Sequence, residues 1–283
     1  MDLRVPNGTT RRFESNYSLD PEQIEAWVET FHQQGFLFIE NVLTEEHVAF
    51  LKSDLEWSLN HFLPCDEDPA GKLSSHKKED AMRLCHRMFE HSRANLNLFD
   101  LEPVVSFAEA LIAKNCHVIH NNSFTTPPGG GISRWHQDDP PHLIVTSGPP
   151  PTNIRLPVLA FTCNYYLTDV TEVEHGSTEV IPGSHLFGNP PPSNVEGTEW
   201  EKQACCNLGK AGSVIMFNSQ VWHRGGPNRS DRVRYITQVT YARRLVGHKY
   251  YPFMNYIMPE HVIKDANPRL KRLLGFLEHG AYG

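Results

Sequence analysis

The sequence predicts a mainly β fold with helices packed on it from both ends of the chain. Three observations carry this. Apolar residues recur at helical spacing up to about residue 115, short β-rich runs cut by Gly, Pro and Asn-Asp signals fill about 116–245, and a helical pattern returns over about 259–279. No internal repeat and no clean boundary divides the 283 residues, so one domain is expected, with a β-sandwich or barrel at its centre.

Asp20-Pro21 opens the first helix: a carboxylate that can accept from free N–H groups of the first turn, then a proline whose fixed φ suits the first helical position. Ile24, Trp27, Val28 and Phe31 share one face, Gly35 ends the helix, and FLFI (36–39) reads as a short buried strand. Thr44 opens a second helix to about residue 60, carrying Val48, Leu51 and Leu55. The polar, charged stretch 64–80 reads as a loop, and a third helix is expected near 102–114. Strands are expected at 116–124, 158–167, 178–182, 212–218 and 233–242, joined by proline-rich connections that favour fixed loops.

The bulk properties exclude several classes. A net charge of −7 argues against a nucleic-acid partner, and no apolar run is long enough to span a membrane. The opening MDLRVPNGTTRRFES lacks the apolar core of a secretory signal, and six cysteines without regular spacing suggest free thiols, so the cytoplasm is the expected compartment.

The chemistry concentrates in GGGISRWHQDDPPH (129–142). With 16 histidines in the chain, a His-x-Asp triplet is expected about once by chance, so the triplet needs support. On an extended strand residues i and i+2 face the same way, so His136 and Asp138 can reach one metal ion. The best third ligand is His223, after a β-rich run and beside a Gly-Gly-Pro-Asn turn, although a lone histidine there is more often an ordinary hydrogen-bonded residue. Arg232 and Arg234 lie nearby at i and i+2, and an arginine aimed into the same cavity would need an anion. Two imidazoles and one carboxylate leave metal positions free for further ligands, as non-haem Fe(II) oxygen chemistry requires. The helical His-Glu-x-x-His pattern of many zinc hydrolases is absent. Asp139 should face away from His136, His142 should lie in a loop, and Trp135 and Trp222 should pack away from the histidines they adjoin. The histidines of HVIH (117–120) and the bend at Pro182-Gly183-Ser184-His185 read as structural.

With these residues placed, the chain resembles the phytanoyl-CoA dioxygenase-like family of Fe(II)/2-oxoglutarate-dependent oxygenases. The resemblance runs through GFLFIENVLTEEHVAFL, WHQDD (135–139), EHGSTEVIPGSH (174–185), WHRGGPNRSDRVR (222–234) and NPRLKRLLGF. It implies a double-stranded β-helix (jelly-roll, cupin-like) core, with Fe(II) held by His136, Asp138 and His223. It also selects Arg234, eleven positions after the second histidine, for the far carboxylate of 2-oxoglutarate. Many members carry serine two positions after that histidine; Gly225 stands there in this chain, and Asn121 and Ser123 are candidates to replace the contact. The carboxylate of Asp138 favours oxygenation over the halogenation of relatives that have a small residue at that position.

The implied activity is oxidation of an unactivated C–H bond by O2 and 2-oxoglutarate, with hydroxylation as the first expectation. A small natural product is the expected substrate, with an acyl-CoA or lipid-like compound as the alternative that a local basic patch (Lys72, Lys77, Lys78, Arg83) would favour. The loop 64–80 and the insertion 140–157 are expected to shape its pocket. A zinc hydrolase or lyase on the same three ligands, which leaves the arginine unexplained, and a non-catalytic metal-binding barrel are the rival classes. Oligomeric state is not legible in the sequence.

Overall fold

The computed structural model describes residues 12–67, 73–74, 77, 82–250 and 253–276. Most of the expected 64–80 loop, including Lys72 and Lys78, lies outside the described residues, as does the end of the C-terminal helical stretch.

Helix α1 (Pro21–Gln34) starts as expected: the Asp20 carboxylate accepts from the backbone N–H groups of Glu22 and Gln23. Gly35 ends it at φ 80°, and a Cβ there would stand 2.5 Å from Nδ1 of His185, so both conformation and space call for glycine. Strand β1 (Phe36–Ile39) follows, then α2 (Glu45–His61), capped by the Thr44 hydroxyl. Between α2 and the expected third helix the chain forms β2 (Arg83–His86), a short 3-10 turn, α3 (Arg93–Asn97) and a second 3-10 turn. None of these was expected. The third expected helix becomes α4 (Val104–Leu111), shorter than 102–114.

The strand-rich half contains β3 (His117–Thr126), β4 (Ile132–His136), β5 (Ala160–Tyr166), β6 (Thr178–Val180), β7 (Cys205–Asn207), β8 (Val214–Asn218), β9 (His223–Gly225) and β10 (Arg234–Ala242). A four-residue helix, α5 (Glu199–Lys202), precedes β7. The C-terminal stretch is two short helices, α6 (Glu260–Ile263) and α7 (Pro268–Leu273), with Asn267 capping the second.

Six strands form one sheet in the order β1-β8-β5-β10-β3-β2, and four form a second in the order β4-β9-β6-β7; every pairing is antiparallel. The two sheets form the jelly roll, and the N- and C-terminal helices cover the outer face of the large sheet. There Phe31 of α1, Phe107 of α4 and Phe161 of β5 meet edge to face, with centroids 5.5–5.7 Å apart. Each is wholly buried, which contributes roughly 1.5–3 kcal/mol per ring. With that face sealed, the inner face of the large sheet and the small sheet opposite it are left to build a cavity.

All six cysteines are free. Among the described residues no helix is long and apolar enough to cross a membrane.

Candidate metal centre

Strands β4 and β9 are neighbours in the small sheet, and His136 and His223 stand directly opposite each other in their register. Their ring centroids are 4.3 Å apart. Asp138 follows two residues past His136, in the bend after β4, its backbone N–H donating to the carbonyl of Ser219 at 3.0 Å. Gln137 between them turns away and donates to the carbonyl of Gln220. Oδ1 of Asp138 lies 3.5 Å from Nε2 of His223, and one ligand atom from each of the three residues falls within 4.8 Å of the others. Two neighbouring strands of one sheet, with the bend that follows the first, therefore supply the whole donor set.

Each imidazole commits Nδ1 to a backbone carbonyl: His136 to Arg134 at 3.0 Å and His223 to Val221 at 2.9 Å. With Nδ1 donating there, Nε2 of each ring is the atom turned to the site, and a metal would displace the Nε2 proton that His223 shares with Asp138. Burial raises the Asp138 carboxyl, but the adjacent His223 ring and its hydrogen bond prevail and hold it down to about 2. The same pairing, against burial, raises His223, whereas burial and the neighbouring His223 lower His136. Asp138 thus meets a cation ionised, its side chain still 28% exposed towards the cavity.

The bend after β6 supports this geometry. Ser184 Oγ accepts from the backbone N–H of Trp222 at 2.7 Å and donates to the carbonyl of Ile181, fixing the residue before His223. Trp135 and Trp222 pack with Ile181 and Val195 on the far side of the small sheet, as parity predicts. Asp139 is exposed and accepts from the loop residue His142.

A cavity of 210 Å³ between the sheets holds the triad; its wall includes Phe124, Phe217 and Ile236 as well as Asn122, Asn164, Gln238 and Arg234. A larger surface depression of 520 Å³, lined by Lys52, His175 and Arg232 among others, contains none of the three ligands.

Arg234 begins β10 opposite Thr126 of β3, and its Nη2 donates to Thr126 Oγ1 at 3.1 Å. The residue is 5% exposed, and its Nε and Nη1 have no partner. Burial pulls the guanidinium down to about 10. Buried charged donors left unpaired are costly, so a cavity anion is what this position lacks. Arg232, which strand parity could not separate from Arg234, is exposed, outside the strand, and lies against the His175 ring. Gly225 lies beside the guanidinium: a Cβ there would make ordinary contact, 3.5 Å from Nη2 of Arg234.

Asn121 and Ser123 do not line the cavity, and their reading as co-substrate contacts is corrected. Asn122 and Phe124 occupy the inner face of β3, so the odd-numbered neighbours face the helices. Asn121 accepts from the Phe89 N–H at 2.8 Å and donates to the Gln238 carbonyl, and Ser123 bonds Thr237 Oγ1 at 2.6 Å. Both serve as buried structural polar groups. The contact that sequence reasoning missed is Thr126, on the inner face and in register with Arg234.

Dioxygenase trt7 of Aspergillus terreus (strain NIH 2624 / FGSC A1156) is 30% identical over 123 residues, 42% of this chain and 39% of that protein. Dioxygenase andF of Emericella variicolor is 29% identical over 113 residues, 39% of this chain and 35% of that protein. The matches therefore span under two-fifths of those relatives' length. Among solved structures, HygX from Streptomyces hygroscopicus with nickel and 2-oxoglutarate bound gives a TM-score of 0.60 at 16% identity, over 82% of this chain and 90% of that one. HygX has also been solved with hygromycin B. The epimerase SnoN, from nogalamycin biosynthesis, in complex with Fe3+, alpha ketoglutarate and nogalamycin RO gives 0.59 at 19% identity, over 81% of this chain and 87% of that one. These structural likenesses show the fold. Residues 31–236, most of the chain and including the three ligands and Arg234, match the phytanoyl-CoA dioxygenase (PhyH) family, and the chain belongs to that family.

Proposed function

We propose that the protein is a Fe(II)- and 2-oxoglutarate-dependent dioxygenase that hydroxylates an unactivated C–H bond of a small organic substrate, with release of succinate and CO2. The observation that carries this reading is Arg234: a buried guanidinium with two unpartnered donors, sharing one cavity with two imidazoles and a carboxylate. A simple hydrolytic or structural metal site gives those donors no purpose. A diacid co-substrate does.

His136, Asp138 and His223 would hold the metal, and bound iron would supply oxidising chemistry from O2 and 2-oxoglutarate. Arg234 would grip the far carboxylate through its free Nε and Nη1, with Nη2 kept in place by Thr126. The apolar rings of Phe124 and Phe217 exclude water from the space between. The natural-product reading draws support from the ligands solved with SnoN and HygX.

Anaerobic addition of Fe(II) and then 2-oxoglutarate tests the assignment. A weak visible charge-transfer band is expected in the wild type and is lost in Asp138→Ala; no band in the wild type overturns the reading. A succinate-release screen over natural products then follows, and a product one oxygen heavier identifies hydroxylation.

A further inference from the structure

Two of the three metal ligands depend on a strand that is loosely laced to its sheet. Strand β4 is an edge of the small sheet, with β9 as its neighbour, and the register shifts inside that pairing. Ile132 stands opposite Gly225 and His136 opposite His223, so four steps along β4 match two along β9. Beyond His136 the chain is pinned by the bonds of Gln137 to Gln220 and of Asp138 to Ser219. Before it, the irregular ladder leaves the offset of the two strands open. A slip of one residue there would turn His136 away from the metal.

Side chains beside the two histidines close this gap. The Arg224 guanidinium lies over the Trp135 ring, 4.8 Å from its centroid. Its Nε donates to Oε2 of Glu179 at 2.7 Å, and its Nη2 is 2.7 Å from the same oxygen. Glu179 belongs to β6, directly opposite Arg224 in a regular pairing, and its side chain is 5% exposed. The other carboxylate oxygen has little room: a Cβ on Gly226 would stand 2.6 Å from Oε1. A carboxylate packed this closely holds the guanidinium in one place, and the guanidinium holds the indole. The stack thus runs from β6 through β9 to β4, and Arg224 and Trp135 are each the chain neighbour of a ligand histidine.

We infer that Arg224 is a positioning residue for the metal centre. Clamped between Glu179 and Trp135, it fixes the offset of β4 on β9 and hence the spacing of His136 and His223. The inference rests on the metal centre of the oxygenase reading and adds the group that sets its bite. Because Glu179 neutralises Arg224, the clamp places no uncompensated charge behind the ligands.

The test measures the Mn(II) affinity of the full chain, read from the electron paramagnetic resonance signal of free Mn(II). Arg224→Ala should weaken binding about ten-fold or more, the scale on which groups behind metal ligands act. That change strands a buried carboxylate, so Arg224→Met combined with Glu179→Gln, which leaves no unpaired charge, should show the same loss. Trp135→Leu should lose affinity too, whereas Trp135→Phe, which keeps a ring under the guanidinium, should stay within about three-fold of wild type. Phe107→Leu, in the aromatic cluster outside the large sheet, is the stability control: it should lower the melting temperature and leave Mn(II) affinity unchanged. Unchanged affinity in the double variant, or an equal loss in Phe107→Leu, overturns the inference. So does a loss confined to 2-oxoglutarate affinity, which would make Arg224 a cavity contact. A wild type that takes up no Mn(II) is a different result, and it overturns the oxygenase reading itself.

Discussion

Truncating Arg234 removes both donors that await an anion, so Arg234→Ala should weaken 2-oxoglutarate binding on the order of 100-fold, equivalent to about 3 kcal/mol. Arg234→Lys keeps the charge without the planar fork and should fall between, as a titration of the visible band on Fe(II)-loaded protein will show. Gly225→Ser should fold normally, because its Cβ meets only ordinary contacts, and should bind 2-oxoglutarate at least as tightly as wild type, its hydroxyl lying beside the guanidinium. The triad was legible because the i, i+2 spacing of His136 and Asp138 brings both to one side, although β4 ends at His136 and Asp138 stands in the bend beyond it. Arg234 needed the family resemblance, since parity treats Arg232 identically and only burial separates them. Asn121 and Ser123 misled because β3 is buried on both faces along most of its length, so hydrophobic alternation does not mark the cavity side.

Long periodic elements were readable, as were the short strands β1 and β6, but the other short ones were not. Helices α1 and α2 and strands β3, β5, β8 and β10 appear where spacing placed them, whereas β2, β7 and β9 span three or four residues each and owe their form to their neighbours. The bond from Ser92 of the unexpected α3 region to Asp54 of α2 makes a test at this scale. Asp54 is 3% exposed, and burial, opposed by the Ser92 hydrogen bond, raises its carboxyl to about 6. The folded protein therefore binds this proton more tightly than the unfolded chain, whose carboxyl titrates near about 3.9. This group's stabilising contribution is whole below about pH 4 and falls as pH rises through about 6, a loss of roughly 2–3 kcal/mol. Asp54→Asn removes the titration and keeps an acceptor for Ser92. Its urea midpoint should exceed wild type near pH 7.5 and approach it near pH 4, and equal offsets at both pH values would refute the assignment.

Across the whole molecule, the fold class was legible from the change of periodicity near residue 116, while the strand order, which pairs β1 with β8, depends on contacts remote in sequence. Ligands that bind only the folded chain raise its stability, so Mn(II) with 2-oxoglutarate at about 100 times their dissociation constants should each add about 2.7 kcal/mol. Thermal denaturation should show both increments in wild type, only the metal increment in Arg234→Ala, and a return to the apo midpoint on adding chelator. All three metal ligands sit on or beside β4 and β9 of the small sheet, whereas Arg234 and Thr126 belong to the large one. A bound diacid would act as a strut between two independently braced walls, its carbon count gauging their offset. Sliding one wall by a residue would leave ion affinity intact while shifting the preferred diacid to a longer or shorter homologue.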